Sequence, residues 1–120
     1  MPNPADQARG LALIINNPKI GLILVAKDAN VVVGMVNLLF TVSTALGGKV
    51  ALLEDMVVSS NDCGTGIGSQ LLTQAISIAR THSCKRITLL TDRSNEAAQR
   101  FYMKQGFNAS SMVPLRLSLP

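Results

Sequence analysis

The pattern of apolar runs and helical repeats predicts an α/β (α+β) fold: a mixed, mainly antiparallel central sheet with one βαβ crossover and helices on both faces. Three observations carry that expectation. Residues 20–26 and 31–40 are apolar runs separated only by the polar turn Lys27-Asp28-Ala29-Asn30, as in an antiparallel hairpin. A third apolar run, residues 50–58, leads through a glycine loop into a segment where Ile67, Leu71, Leu72, Ala75, Ile76 and Ala79 recur at helical spacing. Residues 86–91 then form a further run, and strand, helix and strand in that order require the flanking strands to lie parallel.

The remaining elements follow in order. Asn3-Pro4 reads as an N-cap followed by proline in the first turn of a helix over 4–17, weakened by Gly10 and stopped at Asn17-Pro18. Gly47-Gly48 turns the second strand into the third, which completes a meander. Ser94 or Asn95 caps a later helix along which Ala98, Phe101, Tyr102 and Gln105 step, with Gly106 as its stop. Phe107 and the run 112–119 close the chain as one or two strands. The 120 residues are expected to form one domain, 1–120.

Composition narrows the function. The chain is 48% hydrophobic but only 3% aromatic and has no Trp, so its core is expected to be Val, Ile, Leu, Ala and Met. A net charge of +4 suits an anionic ligand, yet the Lys and Arg are scattered rather than clustered, which argues against nucleic acid. Cys63, Cys84 and the single His82 make neither a zinc pattern nor a disulfide framework, so no metal is expected and the thiols are read as reduced, in the cytoplasm. Residues 29–48 are uncharged and long enough to span a bilayer. They nonetheless include Asn30, Asn37, Thr41, Ser43, Thr44 and Gly47-Gly48, so they read as strand and turn, with no membrane partner.

The loop holds the chemistry. Gly64, Gly66 and Gly68 let backbone N–H groups point at an anion, and the helix start behind them adds the positive end of its dipole. The bland alternative is a tight strand-to-helix turn. A nucleotide-binding loop fits less well, because neither a Lys-Ser/Thr pair nor a Gly-x-Gly-x-x-Gly frame is present.

Together these features resemble the GNAT superfamily of acyl-CoA N-acyltransferases. The family signature is a valine ending a strand, then Arg or Gln, two residues, Gly, one residue, Gly or Ala, and a helix. Here Val58 is followed by Ser59-Ser60-Asn61-Asp62 and then Cys63-Gly64-Thr65-Gly66-Ile67-Gly68. A second signature, Asn opening a helix that ends in Phe-Tyr and then Gly-Phe, is met by Asn95, Ala98, Phe101, Tyr102, Gly106 and Phe107. The resemblance covers roughly residues 20–110 and implies an acetyl-CoA-dependent N-acetyltransferase that acts on a small amine by direct attack in a ternary complex. The alternative it leaves is a coenzyme A-binding module with little or no transferase activity.

On that resemblance the loop Cys63, Gly64, Thr65, Gly66, Ile67, Gly68 and Ser69 takes the pyrophosphate. The main chain of Met56 and Val58 pairs with the pantetheine amides as an added strand would. Asn95 caps its helix and reaches the cofactor, and Tyr102 protonates the departing thiolate. Glu54 and Asp55 are the candidate bases; strict alternation puts them on opposite faces, with Glu54 sharing a face with Met56 and Val58, and Glu54 is preferred. His82 reads as a cationic helix cap. Cys63 stands where the family has Arg or Gln, Ser60 where it often has Pro, and the family's first strand and helix have no counterpart ahead of residue 4. The run 20–26 is therefore expected at a sheet edge, covered by a second copy in a homodimer whose C-terminal run 115–119 is exchanged or folded back.

Overall fold

The structure, a computed structural model, describes residues 3–62 and 64–120. The chain divides into two compact units, Met1–Leu90 and Thr91–Pro120.

The first unit opens with α1 (Pro4–Ile15), capped as expected: Asn3 Oδ1 accepts from the N–H groups of Ala5, at 2.8 Å, and Asp6. Half-buried Gln7, Leu11 and Ile14 mark its inner face, one to two turns apart, while Leu13 and Ile15 are exposed. The helix ends two residues before the expected Asn17, with Asn16 as its C-cap.

Strands β1 (Gly21–Asp28), β2 (Val31–Ser43) and β3 (Gly48–Val58) form the antiparallel meander, and β4 (Ile87–Leu89) joins β3 in parallel, in the order β1-β2-β3-β4. Helix α2 (Ile67–Thr81) makes the crossover between β3 and β4. Its Leu71, Leu72, Ala75 and Ala79 are buried at the positions the periodicity picked out, against Val36, Leu38, Ala51 and Leu53 of the sheet. At its first turns the helix presses on Gly34: a Cβ there would meet Leu71 Cδ1 at 3.0 Å and Ile67 Cγ2 at 3.2 Å. Glycine on β2 is thus what lets the start of α2, and the loop ahead of it, sit close over the sheet.

At the other end of α2 the chain turns with Ser83 left-handed, at φ 62°. Ser83 N–H donates to Arg80 O and Cys84 N–H to Ala79 O, each at 2.9 Å, the paired bonds of a Schellman ending. His82 is the C-cap residue of α2, and its imidazole stacks on Phe40, with ring centroids 4.6 Å apart. Lys49 Nζ lies 5.3 Å from the same Phe40 ring.

In the second unit Asn95 caps α3 (Glu96–Lys104), its Oδ1 accepting from Ala98 N–H at 3.1 Å. The helix ends at left-handed Gly106, φ 104°, where Gly106 N–H donates to Met103 O and Phe107 N–H to Tyr102 O. Tyr102 and Phe107 pack edge-to-face across this ending, 5.8 Å between centroids, which is the apolar contact such endings carry. The expected closing strands are absent from the described residues. From Phe107 to Pro120 the chain forms neither strand nor helix, because an alternating apolar pattern supplies a face but not the neighbouring ladder a strand needs.

Candidate functional site

The site is built where β3 outruns its parallel neighbour. Pairing between β3 and β4 runs through Ala51↔Ile87, Leu52↔Thr88 and Leu53↔Leu89 and then stops. From Glu54 onward β3 has β2 on one side and, among the described residues, no strand on the other. That stretch feeds directly into the glycine loop, so an open strand edge and a helix N-terminus lie end to end.

A β-bulge reshapes this stretch. Asn37 pairs with Glu54 and Met35 with Val57, so β3 advances three residues while β2 advances two. The extra residue is accommodated at Asp55, whose φ of 54° is left-handed. Val58 lies opposite Gly34 and Glu54 opposite Asn37. Glu54 and Val58 are therefore on opposite faces, Val58 on the one α2 covers, which corrects the expectation that they share one. The bulge also cancels the expected separation of the two carboxylates. Asn37, 2% exposed, donates from Nδ2 to Asp55 Oδ2 at 2.8 Å, so Asp55 reaches the same residue that Glu54 opposes. Asp55 is engaged by that bond, and exposed Glu54 remains the candidate base on this face.

The loop is held at both ends. Ser59 N–H donates to Val33 O at 2.7 Å, a 3-10 turn follows over Ser60–Asp62, and Thr65 bonds Asp62 O through both its N–H and its hydroxyl. Gly64 and Gly66 have φ of 86° and 88°, and a Cβ on either would meet nothing within 4 Å. The glycines are thus required by backbone conformation, and the space in front of them is open. Gly66 is the N-cap of α2 and brings no side chain to cap it, and no acidic residue occupies the first turn. The first-turn N–H groups of Ile67 and Gly68 therefore face a site that favours negative charge. No Lys or Arg lies between residues 59 and 69, so an anion here would be held by the main chain. Val58 and Ser69 already carry interactions within the chain. Cys63 lies outside the described residues.

The first unit thus brings Glu54, Met56, Val58, Gly64, Thr65, Gly66, Ile67, Gly68 and Ser69 into one continuous strand, loop and helix start. Asn95 and Tyr102 belong to the second unit, at the cap and in the last turns of α3. Tyr102 is partly buried, and burial raises its phenol above the ordinary value of 10.0. Two groups were missed by sequence reasoning, the Asn37 amide and its bond to Asp55. Their signal was present as a lone amide inside the apolar run 31–40 and two adjacent acids inside the run 50–58.

Comparison with known proteins gives the family. The model of the Acetyltransferase (GNAT) family matches residues 3–107. A curated relative, the glucosamine 6-phosphate N-acetyltransferase of Trypanosoma brucei brucei, is 33% identical over 79 residues, 65% of this chain and 52% of that protein. The chain therefore spans about half the length of that relative. Among solved structures, a transcriptional regulator from Bacillus halodurans superposes with a TM-score of 0.85 at 34% identity, over 97% of this chain and 77% of that one. An Agrobacterium tumefaciens protein described as a putative acetyltransferase gives 0.81 at 25% identity, over 96% and 81%. With an open strand edge running into a glycine loop, and a family match over most of its length, this chain belongs to the Acetyltransferase (GNAT) family.

Proposed function

We propose that the protein is an acetyl-CoA-dependent N-acetyltransferase that acts on a small amine by direct attack in a ternary complex. The observation that carries this reading is the stretch of β3 from Glu54 to Val57, which has no second strand beside it among the described residues and leads into the loop Gly64–Gly68 and the N-terminus of α2. An extended amide-bearing arm ending in a pyrophosphate is the ligand such an arrangement fits: Met56 supplies main-chain pairing as an edge strand does, and the N–H groups of Gly64, Gly66, Ile67 and Gly68 take the phosphates.

Acetyl-CoA supplies an activated acyl group, a thioester carbonyl open to a nucleophile. The residues of this chain do the rest. The amine must lose a proton before or during attack, and Glu54, exposed on its face of β3, accepts it directly or through water. As the C–N bond forms and the C–S bond breaks, the departing sulfur takes a proton from Tyr102, whose raised phenol stays protonated through the neutral range. Asn95, with Oδ1 committed to the cap, has its amide nitrogen for the cofactor. The similarity to a glucosamine 6-phosphate N-acetyltransferase makes an amino sugar phosphate the first acceptor to try, and the net charge of +4 suits an anionic substrate.

A thiol-release assay with acetyl-CoA and a panel of amines tests this reading, with binding followed separately by calorimetry. Tyr102→Phe should lower turnover by a factor on the order of 10² and leave cofactor affinity nearly unchanged, since the ring and its packing survive. Binding without thiol release on any amine would instead support the coenzyme A-binding module. That second reading has one observation in its favour: the 34% identical structure is described as a transcriptional regulator, not an acetyltransferase.

A further inference from the structure

Gly34 is buried in β2, opposite Val58 in the register with β3 and next to the pair Met35 and Val57. Its φ is not in the left-handed region, so the backbone conformation does not ask for glycine here. The requirement is for space. A Cβ on Gly34 would meet Leu71 Cδ1 at 3.0 Å, Ile67 Cγ2 at 3.2 Å and Val57 O at 3.2 Å. Carbon atoms attract best at about 3.5–4.0 Å, so the two side chains would have to give way.

These contacts come from both halves of the site. Val57 follows Met56 in the stretch of β3 that has no second strand beside it among the described residues. Ile67 is the first residue of α2, and Leu71 lies one turn further along it. The backbone of β3 is held to β2 by its ladder, whereas α2 lies on the sheet through side-chain packing, so the helix is the part that moves. A methyl at residue 34 would lift the start of α2 by a few tenths of an ångström, and the N–H groups of Ile67 and Gly68 with it, while Met56 stays in place.

We propose that Gly34 is a positioning residue for the cofactor: by carrying no side chain it sets the distance between the main chain of Met56 and the phosphate-facing N–H groups of Ile67 and Gly68. The proposal rests on the acetyl-CoA reading above. Coenzyme A reaches both places with one molecule, its amide-bearing arm along β3 and its pyrophosphate at the loop. Binding of the second part is then an intramolecular step, favourable only while the two places are the right distance apart. A change in that spacing weakens the whole ligand and leaves the contacts of each part as they were.

The test is NMR titration of the full chain with three probes: coenzyme A, and pantetheine and ADP as its two parts. The unaltered protein should bind coenzyme A far more tightly than either part. Gly34→Ala should weaken coenzyme A by about 10-fold or more, the scale of a sub-ångström misplacement, and change pantetheine and ADP by less than about twofold. Gly34→Ala/Leu71→Val takes from the helix about what the strand has gained, a volume-conserving exchange, and should recover part of the loss. The double variant also carries the test should alanine alone prevent folding: Ile67 and Val57 still crowd the new methyl, so coenzyme A should bind less tightly than to the unaltered protein, again with no change for the parts. Equal coenzyme A affinity with and without the methyl overturns the proposal. So does a parallel loss for pantetheine and ADP, because the strand or the loop itself is then damaged, and so does a loss that Leu71→Val fails to relieve, because space is then not the cause. Failure of the unaltered protein to bind coenzyme A is a different result: it removes the acetyl-CoA reading, and with it the ligand that Gly34 would position.

Discussion

Asn37 shows how much one side chain sets at this site. It is 2% exposed, its Oδ1 has no partner among the described residues, and its Nδ2 bonds Asp55 at the one left-handed position of β3. A residue held at positive φ persists only where its surroundings compensate for a strain of about 1–3 kcal/mol, and Asp and Asn tolerate that region better than most. Asp55→Asn keeps both the tolerance and an acceptor for Nδ2, so its urea midpoint should stay near that of the unaltered protein. Asp55→Ala loses both and leaves a buried donor unsatisfied, with a loss of about 2 kcal/mol or more. Equal stability of the two variants would show that the bond does not hold the bulge. Alkaline pH reports on two further residues. Burial raises Tyr102 above 10.0, and burial also raises the Cys84 thiol above 9.0, with nearby Lys49 opposing it in part. A group whose folded value is raised contributes stability that is intact below its unfolded value and lost as pH climbs through the folded one. Thermal stability should therefore decline above about pH 9, and Tyr102→Phe should flatten the part of that decline above about pH 10. A melting temperature unchanged through that window would contradict both shifts.

At the scale of the element, what was legible depended on whether the signal was local. Helix α2 could be read because its buried Leu71, Leu72, Ala75 and Ala79 repeat at its own period, and the caps at Asn3 and Asn95 because capping is settled within a few residues. The bulge was not legible. Alternation assumes one residue per partner, and the inserted residue at Asp55 is defined only by its pairing with β2. The closing strands failed for a related reason, since 115–119 have a strand's pattern but no ladder in their own chain among the described residues. Two glycines separate local propensity from function at this scale. Gly10 lies inside α1, and a Cβ added there would meet nothing within 4 Å, so Gly10→Ala should raise stability by about 1 kcal/mol through helix propensity alone. Gly66 also has open space around it, but its φ of 88° means Gly66→Ala should lose about 1–2 kcal/mol. Urea titration of the pair measures both, and a gain at both positions would remove the claim that the loop needs its left-handed glycine.

For the molecule as a whole, the meander, the crossover and the parallel pairing of β3 with β4 were all readable, because apolar runs, turns and a helical repeat came in an order that leaves few topologies. The path of β3 past the end of β4 was not, because where two strands stop pairing depends on β4 ending at Leu89 rather than at residue 91. That divergence is the main support for cofactor binding, and it makes a prediction about the entire chain. A ligand that binds only the folded state stabilises it in proportion to the logarithm of its saturation, by about 2.7 kcal/mol when present at 100 times its dissociation constant. In a domain of this size each kcal/mol moves the melting temperature by about 4 °C, so saturating acetyl-CoA should raise it by on the order of 10 °C. Desulfo-coenzyme A retains the pyrophosphate and pantetheine amides and should give most of the same shift, because in the proposed binding mode the loop and the β3 edge, not the sulfur, hold the ligand. Gly66→Asp puts a negative side chain where phosphate is expected and should abolish the shift, with Gly66→Ala separating charge from backbone strain. A full shift in Gly66→Asp would move the ligand away from the loop, and no shift in the unaltered protein would leave the open edge of β3 without the partner assigned to it.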